Sequence, residues 1–167
     1  MTVERTLARV DEDLRKGDVA MARTRLRSLV QSKPQDLLVR ERLADVYRHE
    51  GASVEAGRWS YLSEERVERE VTAYERACGR DPVRIMRGLR WTGTESDATT
   101  EVAQERLREV KAAAESKAGK KLDWSSRGRD TDDPWWQDVF GLGCGAALLL
   151  VLVLSVIGAV TVVRWFM

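Results

Sequence analysis

The chain has 167 residues, one domain's worth, and its 28 Lys and Arg against 27 Asp and Glu leave a net charge of +1. That balance offers no bulk attraction to nucleic acid, and two cysteines without CxxC spacing give neither a disulfide framework nor a zinc site. All acidic residues, and all but one of the basic ones, fall within residues 1–138, so the apolar content is concentrated at the other end.

In chain order, Val3, Leu7, Val10 and Leu14 recur at helical spacing and predict a first helix. Gly17 ends it and Asp18 caps a second, in which Val19, Ala22, Leu26 and Leu29 share a face. Pro34 and Asp36 separate this from a third helix carrying Val39, Leu43 and Val46, and Gly51 with Ser53 as cap introduces a fourth. Val67, Val71, Tyr74 and Cys78 mark another helix, closed by Gly79 and Pro82. The stretch Gly93 to Asp97 precedes a last helix of about twenty residues, with Ala103, Leu107, Val110 and Ala114 on one face. Nothing alternates with period two for long enough to predict a strand. The fold class is therefore all-α: six or seven short antiparallel helices in a soluble domain over 1–118, then a polar linker over 119–133.

Internal spacing sharpens this reading. Gly17 and Gly51, like Ala22 and Ala56, are related by one and the same offset, and an offset of about 34 residues is a period of helical-hairpin repeats. Leu43, Ala44, Tyr47, Gly51 and Ala56, and before them Ala22, Leu26 and Pro34, fall at the characteristic positions of a tetratricopeptide repeat, which the chain resembles here. The resemblance implies stacked helical hairpins with a concave face lined by the first helix of each pair, and on that face Arg40, Tyr47 and Arg48 become the candidate partner-binding residues. The chain departs from the pattern at Thr6 and Arg40, where a large residue is favoured, and at Arg9, which replaces a leucine. A third unit with Tyr74, Ala77 and Pro82 as its end-of-repeat pattern is out of frame, because Pro82 lies half a repeat too far beyond Pro34. The runs AGRWSYL at 56–62, ERACGRDP and MRGLRW are also similar to those of an uncharacterised family of small bacterial proteins, over roughly residues 1–115, and this resemblance brings no activity with it. The preference for Arg over Lys, 22 against 6, suits a GC-rich bacterial genome.

From Val139 to Val163, 25 consecutive positions carry no charge. A helix of that length is about 37 Å long, against a hydrocarbon core of about 30 Å, which predicts one C-terminal transmembrane helix over 134–166. Asp133 as cap, Pro134 in the first turn and Trp135, Trp136, Trp165 and Phe166 at the two ends agree with that assignment. Lys117, Lys120, Lys121, Arg127 and Arg129 precede the span and only Arg164 follows it, so the N-terminal domain is expected in the cytoplasm, as a tail-anchored, single-pass membrane protein. The N-terminus has no apolar signal region. Gly141 and Gly145 have GxxxG spacing, and Ser155 and Ala159 continue the same face, which makes self-association of the span into a homodimer an expectation.

No catalytic constellation is legible. His49 is a lone histidine without a nucleophile or metal ligand at useful spacing, Gly51 and Gly57 lack the Lys-Ser or Lys-Thr of a phosphate loop, and Glu64, Glu65 and Glu68 read as solvated. Trp59, Tyr61 and Trp91 read as core fillers. Arg76, Arg80, Arg84 and Arg87 share a helical face only if the Gly79–Pro82 break does not interrupt it. They read as solvated arginines, with an anionic-lipid or acidic-partner patch as the alternative. The expectation is a membrane-tethered protein-interaction module or scaffold without catalytic activity, cofactor or metal, binding a protein partner and no nucleic acid. The alternative is a structural or regulatory subunit of a membrane complex that acts through its transmembrane helix.

Overall fold

Helix α1 (Val3–Arg15) is followed by α2 (Val19–Ser32), α3 (Leu37–His49), α4 (Ser53–Trp59), α5 (Glu68–Ala77), α6 (Pro82–Gly88) and, after a 3-10 turn at Glu95–Asp97, α7 (Glu101–Ala118). These elements belong to a computed structural model that describes residues 2–124, among which there are no strands. The boundaries follow local chemistry. Asp18 accepts from the Met21 amide at 3.0 Å and Asp36 from the Val39 amide at 3.1 Å, so each aspartate satisfies an amide that the first helical turn leaves open. Gly17 and Gly51, with φ of 77° and 74°, close α1 and α3 in the left-handed region that glycine enters without a Cβ clash. Ser53 is not the cap of α4: Ala52 holds that position, without a side-chain hydrogen bond, and Ser53 is already helical.

The repeat spacing survives in the first half. Helices α1 and α3 begin at Val3 and Leu37, and α2 and α4 at Val19 and Ser53, both pairs with the offset that relates Gly17 to Gly51. It fails afterwards, since α5 begins at Glu68 and α6 at Pro82, each a few positions before the place that offset from α3 and α4 would give it. Pro82 explains part of the failure. It is the first residue of α6, with Asp81 as its N-cap, and so opens a helix where the sequence reading had it close a repeat.

Packing is between sequence neighbours: α1 against α2, α2 against α3, α3 against α4, α4 against α5, and α6 against α7. Two buried clusters result within one compact unit. The first gathers Val10, Ala22, Leu26, Leu43, Ala44, Ala56 and their neighbours, with Val3, Leu7 and Leu14 of α1 laid against it. The second gathers Leu62, Val71, Leu89 and the predicted face of α7, with Ala103, Leu107, Val110 and Ala114 all buried. Trp59, Tyr61 and Trp91 are buried in these clusters, as the sequence reading had them. Gly57 brings α4 against α5, because a Cβ there would overlap the Glu70 carbonyl.

The chain does not leave the core where α7 ends. Gly119, in the left-handed region at φ 65°, turns it back, and the next residues pack on the second cluster: Leu122 is half-buried and Trp124 buried. The Leu122 amide donates to Glu115 at 2.9 Å and the Trp124 indole to Glu95 at 2.8 Å. The stretch from Gly119 to Trp124, expected to be linker, thus belongs to the folded unit, which reaches beyond residue 118, because the glycine turn returns two apolar side chains to the α7 face. The rest of the 119–133 linker, the span expected over 134–166 and its Gly141, Gly145, Ser155 and Ala159 lie outside the described residues. Among the described residues no helix is long and apolar enough to cross a membrane.

Candidate functional site

Helix α3 lies at the centre of the stack, and its sequence shows why so little of it is free. Val39, Leu43 and Val46 are buried, and so are Arg40, Ala44 and Tyr47, so two adjacent stripes of the helix are covered. What remains open is the stripe of Leu38, Asp45 and His49, flanked by the half-buried Glu41, Arg42 and Arg48. Leu38 is 57% exposed, the largest exposure of any large apolar side chain among the described residues.

The three residues expected to contact a partner separate sharply. Arg48 is at the surface, where its guanidinium grips Glu70 of α5 at 2.8 and 2.9 Å and Asp45 at 2.6 Å. The hydrogen bond to Glu70 raises the Arg48 pKa, and the carboxylate it holds is 2% exposed. Tyr47 is buried, and burial pushes its phenol up. Arg40, expected on the exposed face, is instead 1% exposed, which corrects its assignment as a partner contact.

Arg40 is buried because its surroundings replace water at most of its donors. Its Nη2 donates to the Leu89 carbonyl at 2.6 Å and its Nη1 to the Pro34 carbonyl at 3.0 Å. The guanidinium carbon lies 5.2 Å from the ring centre of Trp59 and 5.9 Å from that of Trp91. The indole faces thus offer cation–π attraction where a carboxylate would otherwise be needed. Arg58 completes the arrangement, with its Nε donating to the Gly88 carbonyl at 2.6 Å and its guanidinium 4.8 Å from the Trp59 ring centre. Gly88 and Leu89 end α6, so both cations meet the carbonyl end of that helix, where its dipole is negative. Arg40 Nε has no hydrogen-bond partner among the described residues. Burial, with the Arg58 cation adding to it, pushes the Arg40 pKa down to about 10. An arginine between two tryptophans, Trp59 of the first cluster and Trp91 of the second, thus ties the clusters together.

Chemically reactive groups are not gathered. Cys78 is buried in the second cluster, and burial pushes its thiol up, away from the thiolate that a nucleophile requires. His49 is exposed at the end of α3. Among the described residues no group of three or more His, Cys, Asp or Glu side chains is placed to hold a metal ion. Arg76, Arg80, Arg84 and Arg87 are all exposed, and the break between α5 and α6 does divide them.

A family model matches residues 1–164, that of a family of unknown function, DUF6584. The chain belongs to this family. Its model takes in both the helical unit and the uncharged run from Val139 to Val163. No curated protein and no solved structure matches the chain.

Proposed function

We propose that this chain is a membrane-tethered, non-catalytic interaction module: a tetratricopeptide-like stack of helical hairpins held at the cytoplasmic face by one transmembrane helix over 134–166. The observation that carries the reading is the uncharged run from Val139 to Val163 beside a neutral, all-helical unit, both within the reach of one family model. The repeat-like character rests on the equal offsets of α1 to α3 and α2 to α4. It also rests on ion pairs that link alternate helices across the stack, Arg42 to Asp11 of α1 and Arg48 to Glu70 of α5. Stacked hairpins of this kind present an extended surface to a protein partner. The stripe of Leu38, Asp45, Arg48 and His49 is the part of α3 left open for one, and replaces Arg40 and Tyr47 in that role.

The tether is tested by carbonate extraction and by a reporter fused after Met167. The protein should stay in the pellet and the reporter should behave as exported. Release into the wash, or a reporter active only in the cytoplasm, removes the reading. A photo-crosslinking residue at Leu38 should give a discrete adduct that one at Lys33, on the exit of α2, does not. Equal adducts at both sites would remove α3 as the binding face.

The GxxxG pair Gly141 and Gly145 favours a second reading, in which the chain is a subunit that associates through its span, as a homodimer or with another membrane protein. Exchange of 134–166 for an unrelated transmembrane helix separates the two, since the first reading survives it and the second does not.

A further inference from the structure

We infer that the end of the helical unit where α5 turns into α6 beside the end of α7 is a docking face for anionic lipid headgroups. The inference rests on the membrane tether proposed above. Its starting point is the contact of Lys117 Nζ with Asp81 Oδ2 at 3.3 Å, which brings the last turn of α7 to the first turn of α6. Around that contact the chain concentrates cations from three elements: Arg76 in the last turn of α5, Arg80 in the turn, Arg84 in α6, and Lys117, Lys120 and Lys121 at and after the end of α7. All six are exposed.

The nearby carboxylates keep their charge while hydrogen-bonded, and Glu75, Asp81, Glu115 and Asp123 reduce the charge of the six cations without cancelling it. Asp81 accepts from the Val83 and Arg84 amides at 2.9 and 3.4 Å as well as from Lys117. Glu115 accepts from the Leu122 amide, and Glu75 from the Tyr61 hydroxyl at 3.1 Å. Asp123 is exposed on the same stretch and reduces the charge without neutralising it. A cluster of positive charge on a chain whose net charge is only +1 must be offset elsewhere, and so gives the unit an electrostatic polarity.

The tether supplies the choice of partner. The stretch between Trp124 and Val139 is short, and even fully extended it reaches at most about 50 Å, so the unit is confined near a membrane surface. A weak attraction is then sufficient to hold it, because docking is intramolecular. Basic residues near an anionic leaflet each contribute about 1 kcal/mol, with a strong dependence on salt.

The full chain reconstituted in vesicles tests this by lysine acetylation read by mass spectrometry. In phosphatidylcholine mixed with phosphatidylglycerol, Lys117, Lys120 and Lys121 should be modified several-fold less, on the order of threefold, than in phosphatidylcholine alone. Lys16 and Lys33 should be modified equally in both. High salt should abolish the difference, and the triple variant R76E/R80E/R84E should reduce it with the helical circular dichroism unchanged. Equal modification of the three lysines in both vesicles overturns the inference, as does protection spread equally over Lys16 and Lys33, or protection by added RNA or acidic peptide but not by anionic vesicles. Carbonate extraction of the same vesicles reports the tether separately. A chain that is retained but unprotected refutes docking alone, while one that is released refutes the tether, and its footprint with added anionic vesicles still decides the face.

Discussion

Helices α1–α4 and α5–α7 are all short or of middle length and fill their interiors differently. The first cluster is built from Val, Leu and Ala, with small residues at Ala22, Ala44 and Ala56 where helices meet, and its aromatic members are confined to Tyr47 and Trp59. The second holds Tyr61, Tyr74, Trp91 and Trp124, with Tyr61 and Tyr74 in edge-to-face contact at 6.0 Å. Each of these four rings turns its polar atom to a partner: Tyr61 to Glu75, Tyr74 to the Ile85 carbonyl, Trp91 to the Thr94 carbonyl and Trp124 to Glu95. The first half keeps the repeat spacing and can pack small against large at recurring positions. Where the spacing shortens, helices no longer meet at equivalent places, and large rings with directed hydrogen bonds occupy the space.

The largest effect that probes this difference is the loss of a leucine from each core. Leu43 and Leu107 are both wholly buried, so Leu43→Ala and Leu107→Ala should each cost about 2 to 5 kcal/mol in thermal unfolding followed by circular dichroism. A loss under about 1 kcal/mol at either position would mean that the helix face assigned to that core is wrong.

Arg40, which joins the two clusters, comes next. Arg40→Ala should cost about 3 kcal/mol, since it opens a space between Trp59 and Trp91 and leaves two carbonyls without their donors. Arg40→Met should cost less than about 1 kcal/mol, because a buried charge replaced by an apolar side chain of similar volume is often tolerated. Equal losses for the two variants would show that the charge itself holds the clusters together.

A smaller effect sharpens the boundary of the second cluster. A fragment of residues 1–126 should melt above one of residues 1–118, by the equivalent of about 2 kcal/mol, because only the longer one retains Leu122 and Trp124 on α7. Identical melting would return the end of the folded unit to Ala118.

The smallest effect at neutral pH is the titration of the tyrosines. Burial pushes Tyr61 and Tyr74 above the ordinary phenol value, with Glu75 adding to it at Tyr61 and Cys78 at Tyr74. Above a pH of about 10 the unfolded chain therefore loses protons that the folded chain keeps, and stability falls as pH rises. Arg40 acts in the opposite sense, since its lowered pKa makes its burial less unfavourable as pH rises through about 10. With Tyr47 also raised, three phenols oppose one guanidinium, and the melting temperature should fall between about pH 9 and 11. Tyr61→Phe should flatten that fall, and an unchanged slope would mean that Tyr61 titrates alike in both states.

The caps and the stripes were legible in the sequence because they are local. Asp18, Asp36, Gly17 and Gly51 act on residues within a turn of themselves, and Ala103, Leu107, Val110 and Ala114 lie on one face through helical geometry alone. Tertiary structure decided the fate of the polar and terminal residues. Arg40 is buried by the distant Leu89 carbonyl, Glu70 is paired with Arg48 from another helix, and Trp124 is fixed by Glu95, which precedes the whole of α7. A charged side chain reads as exposed until its distant partners are known, because only they can replace the water that burial removes.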